Sequence, residues 1–221
     1  MVVFLPPAGS SDAPYLSLGE ALPPGFAAVH CEPPGRGRTA DQAASRSVAE
    51  TARRWAGELA ALVPGRRVHL FGHSLGAMLG HELAHRLIED GGPAPASLMV
   101  SGARDPGYRP RAAVAAAFAA LSGSSAKAGG AWLAADLAMR RSHQPRTDPL
   151  PLPLALLGGI SDPFASPKEM AEWRKFVTGE FVGLFTFPGG HDYLLSHRKE
   201  IAAAIASTVE FAESVQLKSE K

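Results

Sequence analysis

The pentapeptide Gly72-His73-Ser74-Leu75-Gly76 has the form G-x-S-x-G, which presents a serine hydroxyl as a nucleophile. Alone it is a weak signal, because small residues are common. Its surroundings give it weight: the apolar run Val68–Phe71 leads into it and a helical pattern, Leu75–Ile88, leads out. On such a strand–turn–helix the serine sits at a sharp, strained turn, and Gly72 and Gly76 supply the clearance that the turn needs. The hydroxyl then lies at the carboxyl end of a sheet, near the positive end of the following helix.

A serine hydroxyl is a poor nucleophile until a base takes its proton, and with this motif the acid and then the histidine come later in the chain. His191 follows the apolar run Phe181–Phe187 through Pro188-Gly189-Gly190, so it can turn back over a sheet edge. His197 opens the last helical pattern and reads as solvated. The base is therefore assigned to His191. The acid that orients it is Asp162, directly after the run Leu152–Leu157, with Asp105, after the preceding run, as the alternative. Asp192 is adjacent to His191, and consecutive side chains in an extended segment point apart. The oxyanion needs two N–H donors. Leu75 supplies one at the helix start; Pro6 and Pro7 have no N–H, so Ala8 is the first donor in the loop after Val2–Leu5.

His81-Glu82-Leu83-Ala84-His85 also matches the zinc signature H-E-x-x-H. The helix it lies on already follows the serine turn, and no third ligand is offered downstream. The expectation is no metal, with His81 and His85 half-buried beside an apolar arc that includes Ile88, and Glu82 and Arg86 pointing outward as an i, i+4 pair. Cys31 reads as a small core residue. Pro33-Pro34-Gly35-Arg36-Gly37-Arg38 reads either as a solvated turn or as a phosphate contact.

Residues 74, 162 and 191 can meet only if a sheet gathers them. Val2–Leu5, Ala27–Cys31, Val68–Phe71, Ser97–Ser101, Leu152–Leu157 and Phe181–Phe187 read as strands bounded by Gly, Pro or Asp. Val48–Leu62, Leu75–Ile88, Pro167–Phe176 and Lys199–Val215 read as helices between and after them. Continuous apolar strands alternating with helices predict an α/β fold with a mostly parallel sheet flanked by helices. One segment breaks the alternation. About residues 104–149, the chain has two Ala-rich helical patterns, Arg111–Leu121 and Ala131–Arg141, and no strand-like run. We read a short helical lid insertion over the carboxyl edge of the sheet, with Val114, Phe118, Trp132 and Leu137 lining a substrate chamber.

Composition agrees with one domain spanning 1–221. Hydrophobic residues are 46% and charged residues 19%, enough apolar surface for a packed core. A net charge of +1 gives no global basic field, which excludes the usual signature of nucleic-acid or anionic-membrane binding. One cysteine forbids an intrachain disulfide, and the N-terminal apolar run is too short for a signal peptide, so a cytoplasmic protein is expected.

Taken together, Leu5-Pro6-Pro7-Ala8-Gly9, Pro34-Gly35-Arg36-Gly37-Arg38, Phe71-Gly72-His73-Ser74-Leu75-Gly76-Ala77, Ser101-Gly102, Gly159-Ile160-Ser161-Asp162-Pro163 and Gly189-Gly190-His191 resemble type II thioesterases, the stand-alone editing enzymes of polyketide and nonribosomal peptide assembly lines. The resemblance runs from about Val2 to Ile205. It implies the α/β-hydrolase fold, a Ser74–His191–Asp162 triad and an oxyanion hole from the amides of Ala8 and Leu75. It further implies no cofactor beyond the phosphopantetheine that the substrate carries, and acyl or peptidyl carrier proteins as partners. The chain departs from the family in Asp105-Pro106 for the usual Ala-Pro, Pro7 for His, and Asp192 for an aromatic residue. Alternatives are a discrete chain-releasing or cyclising thioesterase, a small-ester esterase, or a non-catalytic binding protein of the same fold.

Overall fold

A strand that is apolar at every position, rather than every second one, needs cover on both faces. The computed structural model, which describes residues 1–10, 13–109 and 130–219, arranges the apolar runs accordingly. Among the described residues one sheet contains β1 (Val2–Leu5), β2 (Ala28–His30), β3 (Val68–His73), β4 (Pro95–Ser101), β5 (Leu154–Gly159) and β6 (Phe181–Phe187). The order is β2-β1-β3-β4-β5-β6, and every neighbouring pair is parallel. Parallel neighbours require crossovers. These contain α1 (Ala13–Glu20), α2 (Val48–Leu62), α3 (Leu75–Glu89), α4 (Gly130–Ser142) and α5 (Pro167–Met170), and α6 (Arg198–Ser219) follows the last strand. The chain runs outward from β1 to β2, then returns to β3 on the other side of β1. Open α/β sheets bind ligands beyond the carboxyl ends of their strands at such a reversal.

Alternation along each strand sorts its side chains onto two faces. Val3, Leu5, Leu70, Val100 and Leu156 pack with Trp55 and Leu59 of α2 and with Met78 and Leu83 of α3. Their neighbours Val2, Phe4, Phe71, Met99 and Leu157 pack with Leu18 of α1 and with Ile201, Ile205 and Val209 of α6. The start of α2 is capped by Ser47, whose hydroxyl accepts from the Glu50 N–H at 3.1 Å, while Glu50 accepts from the Arg46 N–H at 2.7 Å. Trp55 and Trp173 are fully buried, so each indole N–H needs an acceptor. They find the carbonyls of Glu32, at 3.3 Å, and Ala103, at 2.9 Å.

Three elements differ from the sequence reading. Helix α1 was not anticipated: it is eight residues long and contains Pro14 and Gly19, both poor helix formers. Burial of Leu18 against the sheet holds it where propensity would not. The helix expected over Pro167–Phe176 is α-helical only to Met170 and continues as a 3₁₀ turn over Ala171–Phe176. Strand β6 is not covered on both faces, since it forms the sheet edge and leaves Phe181 and Leu184 exposed.

Helix α3 is a further correction. Ile88 is exposed rather than part of the buried arc, and Glu82 is buried rather than outward. The segment after α4 lies over this helix and brings Arg146 to Glu82 at 3.4 Å and to Glu89. The Glu82–Arg86 pair does form, at 3.7 Å. His81 and His85 are buried, and His81 meets the rings of Trp173 and Phe176 edge-on.

Helix α4 occupies the second half of the expected insertion. Its inward face carries Leu133, Asp136 and Met139, three residues apart, while Trp132 and Leu137 are half-buried. Val114 and Phe118 lie outside the described residues. No helix among the described residues is long and apolar enough to cross a membrane.

Candidate active site

Strand β3 runs without a break into Ser74, and helix α3 begins at the next residue. Ser74 has φ 55° and ψ −115°, and it is the only non-glycine with positive φ among the described residues. Such a conformation costs roughly 1–3 kcal/mol and persists only where its surroundings enforce it. The two glycines show what enforces it. A Cβ on Gly72 would lie 2.2 Å from the Gly76 carbonyl oxygen, and one on Gly76 would lie 2.1 Å from that of Leu5. The second approach also presses the loop after β1, which carries Ala8, against the start of α3. The Ser74 N–H donates to the Ser101 carbonyl at 2.9 Å, fixing the turn to the end of β4.

Asp162 and His191 follow the ends of β5 and β6. In the β5–β6 register Gly159 sits opposite Phe187, so the loops that follow leave the sheet side by side. They stay close because Gly159 has no side chain: a Cβ there would lie 2.4 Å from the Gly190 carbonyl. The Ser161 N–H donates to the Gly189 carbonyl at 2.9 Å and joins them further. His191 Nδ1 then meets Asp162 Oδ2 at 2.8 Å. A carboxylate only accepts, so Nδ1 carries the proton and Nε2 is left as the basic nitrogen. The second carboxylate oxygen, Oδ1, accepts the N–H groups of Phe164 at 2.8 Å and Ala165 at 3.2 Å. Asp162 is thereby locked in one rotamer, with its side chain fully buried.

Asp105 does not join this pair. Its Oδ1 accepts the Gly107 N–H at 3.0 Å and starts a turn. His197 lies at the head of α6, its ring 6.1 Å from that of Phe187. Asp192 is exposed and precedes a 3₁₀ turn, Tyr193–Leu195.

Around His191 lies a polar chain that the sequence reading did not single out. His73 Nδ1 is 2.8 Å from Ser101 Oγ, and Ser101 Oγ is 2.6 Å from the Tyr193 hydroxyl. The His73 ring lies 4.7 Å from the His191 ring, and Phe164 meets His191 edge-on at 5.3 Å. Burial, and secondarily the charge of His191, hold the His73 pKa well below its ordinary value. His73 therefore stays neutral and places no second positive charge beside an imidazolium at His191. Gly102 leaves room for it, since a Cβ there would lie 2.5 Å from His73 Cε1. Tyr193→Phe should cost about 1 kcal/mol of stability and lower turnover a few-fold by loosening the His191 loop. Urea unfolding and steady-state kinetics on the same preparation check this, and unchanged values for both count against the role. Tyr193 lies two residues past His191, and that proximity was the one available signal.

The Pro33–Arg38 loop fits neither of its two readings at Arg36. The Arg36 side chain is buried and paired with Asp136 of α4 at 2.7 Å, so it is neither solvated nor open to a phosphate. Its guanidinium also lies 5.2 Å from the ring of Trp132. Arg38 reaches Glu32 at 3.0 Å. Cys31 is buried and free, and burial raises its thiol pKa.

The described residues contain no group of three or more His, Cys, Asp or Glu arranged to hold a metal ion. The buried histidines have a different consequence. Burial first, then the charges of His85, His143 and Arg146, push the His81 pKa down to about 3. Burial and the neighbouring N-terminal charge push His69, which is bonded to Ser97 and Glu213, down to about 4. Unfolded histidines take up protons near pH 6.5, so between that value and about 3–4 the unfolded state binds more protons. Stability is complete above pH 6.5 and should fall on acidification from 7 to 4, by on the order of a few kcal/mol. Urea midpoints measured at several pH values test this, and a midpoint independent of pH over that range contradicts it.

The chain resembles known proteins along nearly its whole length. A family model described as a thioesterase domain matches residues 1–209. The chain is 32% identical over 228 residues to the thioesterase PikA5 of Streptomyces venezuelae, spanning 93% of this chain and 79% of that one. Among solved structures it is similar to RedJ, a thioesterase from the prodiginine biosynthetic pathway in Streptomyces coelicolor. The TM-score is 0.81 at 28% identity, over 94% of this chain and 89% of that one. It is likewise similar to BorB, the type II thioesterase from the borrelidin biosynthetic cluster, with a TM-score of 0.81 at 30% identity over 94% and 91% of the two chains. A parallel sheet flanked by helices is thus shared with thioesterases of the α/β-hydrolase type, and the chain belongs to the thioesterase family, hydrolases of thioester bonds.

Proposed function

We propose that the protein is an editing thioesterase that removes acyl groups from the phosphopantetheine arms of acyl or peptidyl carrier proteins in polyketide or nonribosomal peptide synthesis. The observation that carries this reading is the His191–Asp162 pair at 2.8 Å, on strand ends of the same sheet edge as the strained Ser74 turn, in a chain of the thioesterase family. RedJ, from the prodiginine biosynthetic pathway, and BorB, from the borrelidin biosynthetic cluster, supply the biosynthetic context.

In this reading Ser74 Oγ attacks the thioester carbonyl carbon while His191 Nε2 takes its proton. The oxyanion that forms is held by the N–H groups of Ala8 and Leu75. Collapse breaks the C–S bond, and the proton on Nε2 passes to the departing phosphopantetheine sulfur. Water then attacks the acyl-serine by the same route, giving a carboxylic acid and regenerating Ser74. Asp162 orients the imidazole and stabilises its charged form. Every step is proton or acyl transfer, so the reading needs no metal or organic cofactor. Trp132 and Leu137 of α4 are candidates to line the acyl chamber, as part of a helical lid over about residues 104–149.

Residues 103–150 carry seven Lys or Arg against three Asp, and part of that basic excess is paired with acids elsewhere. Arg104 is paired with Glu169 at 2.8 Å and Arg146 with Glu82 at 3.4 Å, both acids lying outside the segment. The deciding experiment incubates acyl-loaded carrier proteins with the enzyme and follows them by intact-protein mass spectrometry. Loss of the acyl mass with return of the free thiol supports the reading. Hydrolysis of simple esters with carrier thioesters left intact refutes it, as does release of a cyclised product.

A further inference from the structure

Buried ion pairs are poor glue: desolvating two charges costs about as much as pairing them returns, and apolar residues of similar volume hold elements together as well or better. The Arg36–Asp136 pair is therefore a weak candidate for stability alone. Its side chains are 6% and 5% exposed. Arg36 Nη2 donates to Oδ1 at 2.7 Å and Nη1 to Oδ2 at 2.8 Å. Asp136 Oδ2 accepts a second donor, the backbone N–H of Gly9, at 2.8 Å, and Arg36 Nη1 also reaches the Ser10 carbonyl at 3.0 Å. One carboxylate thus gathers the loop after β1, the loop after β2, and α4. Leu133, three residues earlier on α4, closes on the same place: a Cβ on Gly9 would lie 3.0 Å from the Leu133 Cβ.

The Gly9 N–H belongs to the rigid Ala8–Gly9 peptide plane. On the other side, the Pro6 and Pro7 rings lock their φ angles. The Ala8 N–H lies between these two restraints, in the loop whose start at Leu5 and Pro6 presses on Gly76 of the serine turn. We propose that Asp136, clamped by Arg36, is a positioning residue that aims the Ala8 N–H at the developing oxyanion. The inference rests on the reading of Ala8 as an oxyanion donor. Removing such a donor costs on the order of 10²–10³-fold in turnover, and misplacing a catalytic group by ~1 Å costs on the order of 10²-fold.

The test compares Asp136→Ala, Asp136→Asn, Arg36→Lys and Ser74→Ala with the parent protein. The probes are an acyl thioester of N-acetylcysteamine and an alkylboronic acid, which adds to a serine as a tetrahedral anion. For Asp136→Ala, kcat should fall about 10–100-fold with KM nearly unchanged, and the boronate Kd should rise by the same factor. Arg36→Lys keeps the charge but not the two-pronged geometry, and Asp136→Asn keeps an acceptor for Gly9, so both should fall in between. A merely structural role would move the melting temperature without tying kcat to boronate affinity. An unchanged kcat in folded Asp136→Ala, or a change in KM alone, overturns the proposal; the Asn and Lys variants carry the same test if the Ala variant does not fold. Ser74→Ala separates the two failures. If it stays active, the site reading itself falls; if it is inactive while the Asp136 variants keep the parent kcat, only the positioning role falls.

Discussion

Ser74→Ala is expected to lower turnover of an acyl thioester by on the order of 10⁶-fold, the scale on which a serine protease loses activity with its nucleophile. The fold should survive. Alanine at φ 55° bears much the same backbone strain as serine, and the hydroxyl caps no hydrogen bond of α3. Thioester hydrolysis and thermal unfolding measured on one preparation separate loss of chemistry from loss of structure. More than about a tenth of the parent rate in a folded variant removes Ser74 from the mechanism.

Asp162→Asn is the second large effect. Asparagine keeps the shape, but its amide can present N–H to His191 Nδ1 and favour the wrong tautomer, with a loss of roughly 10⁴-fold in the serine-protease precedent. Asp105→Asn should change turnover by less than about threefold, because an asparagine oxygen can still start the turn at Gly107. Steady-state kinetics of the pair decide it. A large loss at Asp105 with a small one at Asp162 would move the acid to the end of β4.

The two aspartates also show where sequence reading reaches its limit. Each begins an Asp-Pro pair just beyond an apolar strand, and their local sequences are nearly equivalent. What separates them is which strand neighbours the one that delivers His191: β5 pairs with β6, and β4 does not. The serine turn was legible because its cause is local, in two glycines within two residues that a side chain would jam. Arg36 and Asp136 are far apart in the chain, and nothing near either one announces the other, although Asp136 is the one charged residue between Gly130 and Met139. The outward placement of Glu82 failed for the same reason: helix phase gives an angle around an axis, not what later chain will cover it. Helix α1 is held by packing against propensity, which a local reading cannot weigh.

The parallel sheet also sets an order in time. Strands β1 to β3 and the Ser74 turn come from the first third of the chain, while Asp162 and His191 come from its last third. At roughly 5–20 residues per second, synthesis delivers Ser74 several seconds before Asp162 and His191. In the proposed mechanism, a nascent or prematurely ended chain therefore holds a serine with no base to deprotonate it. On that reading hydrolytic competence arrives only when β6 joins the sheet edge, so a chain that stops short of it is inert toward thioesters.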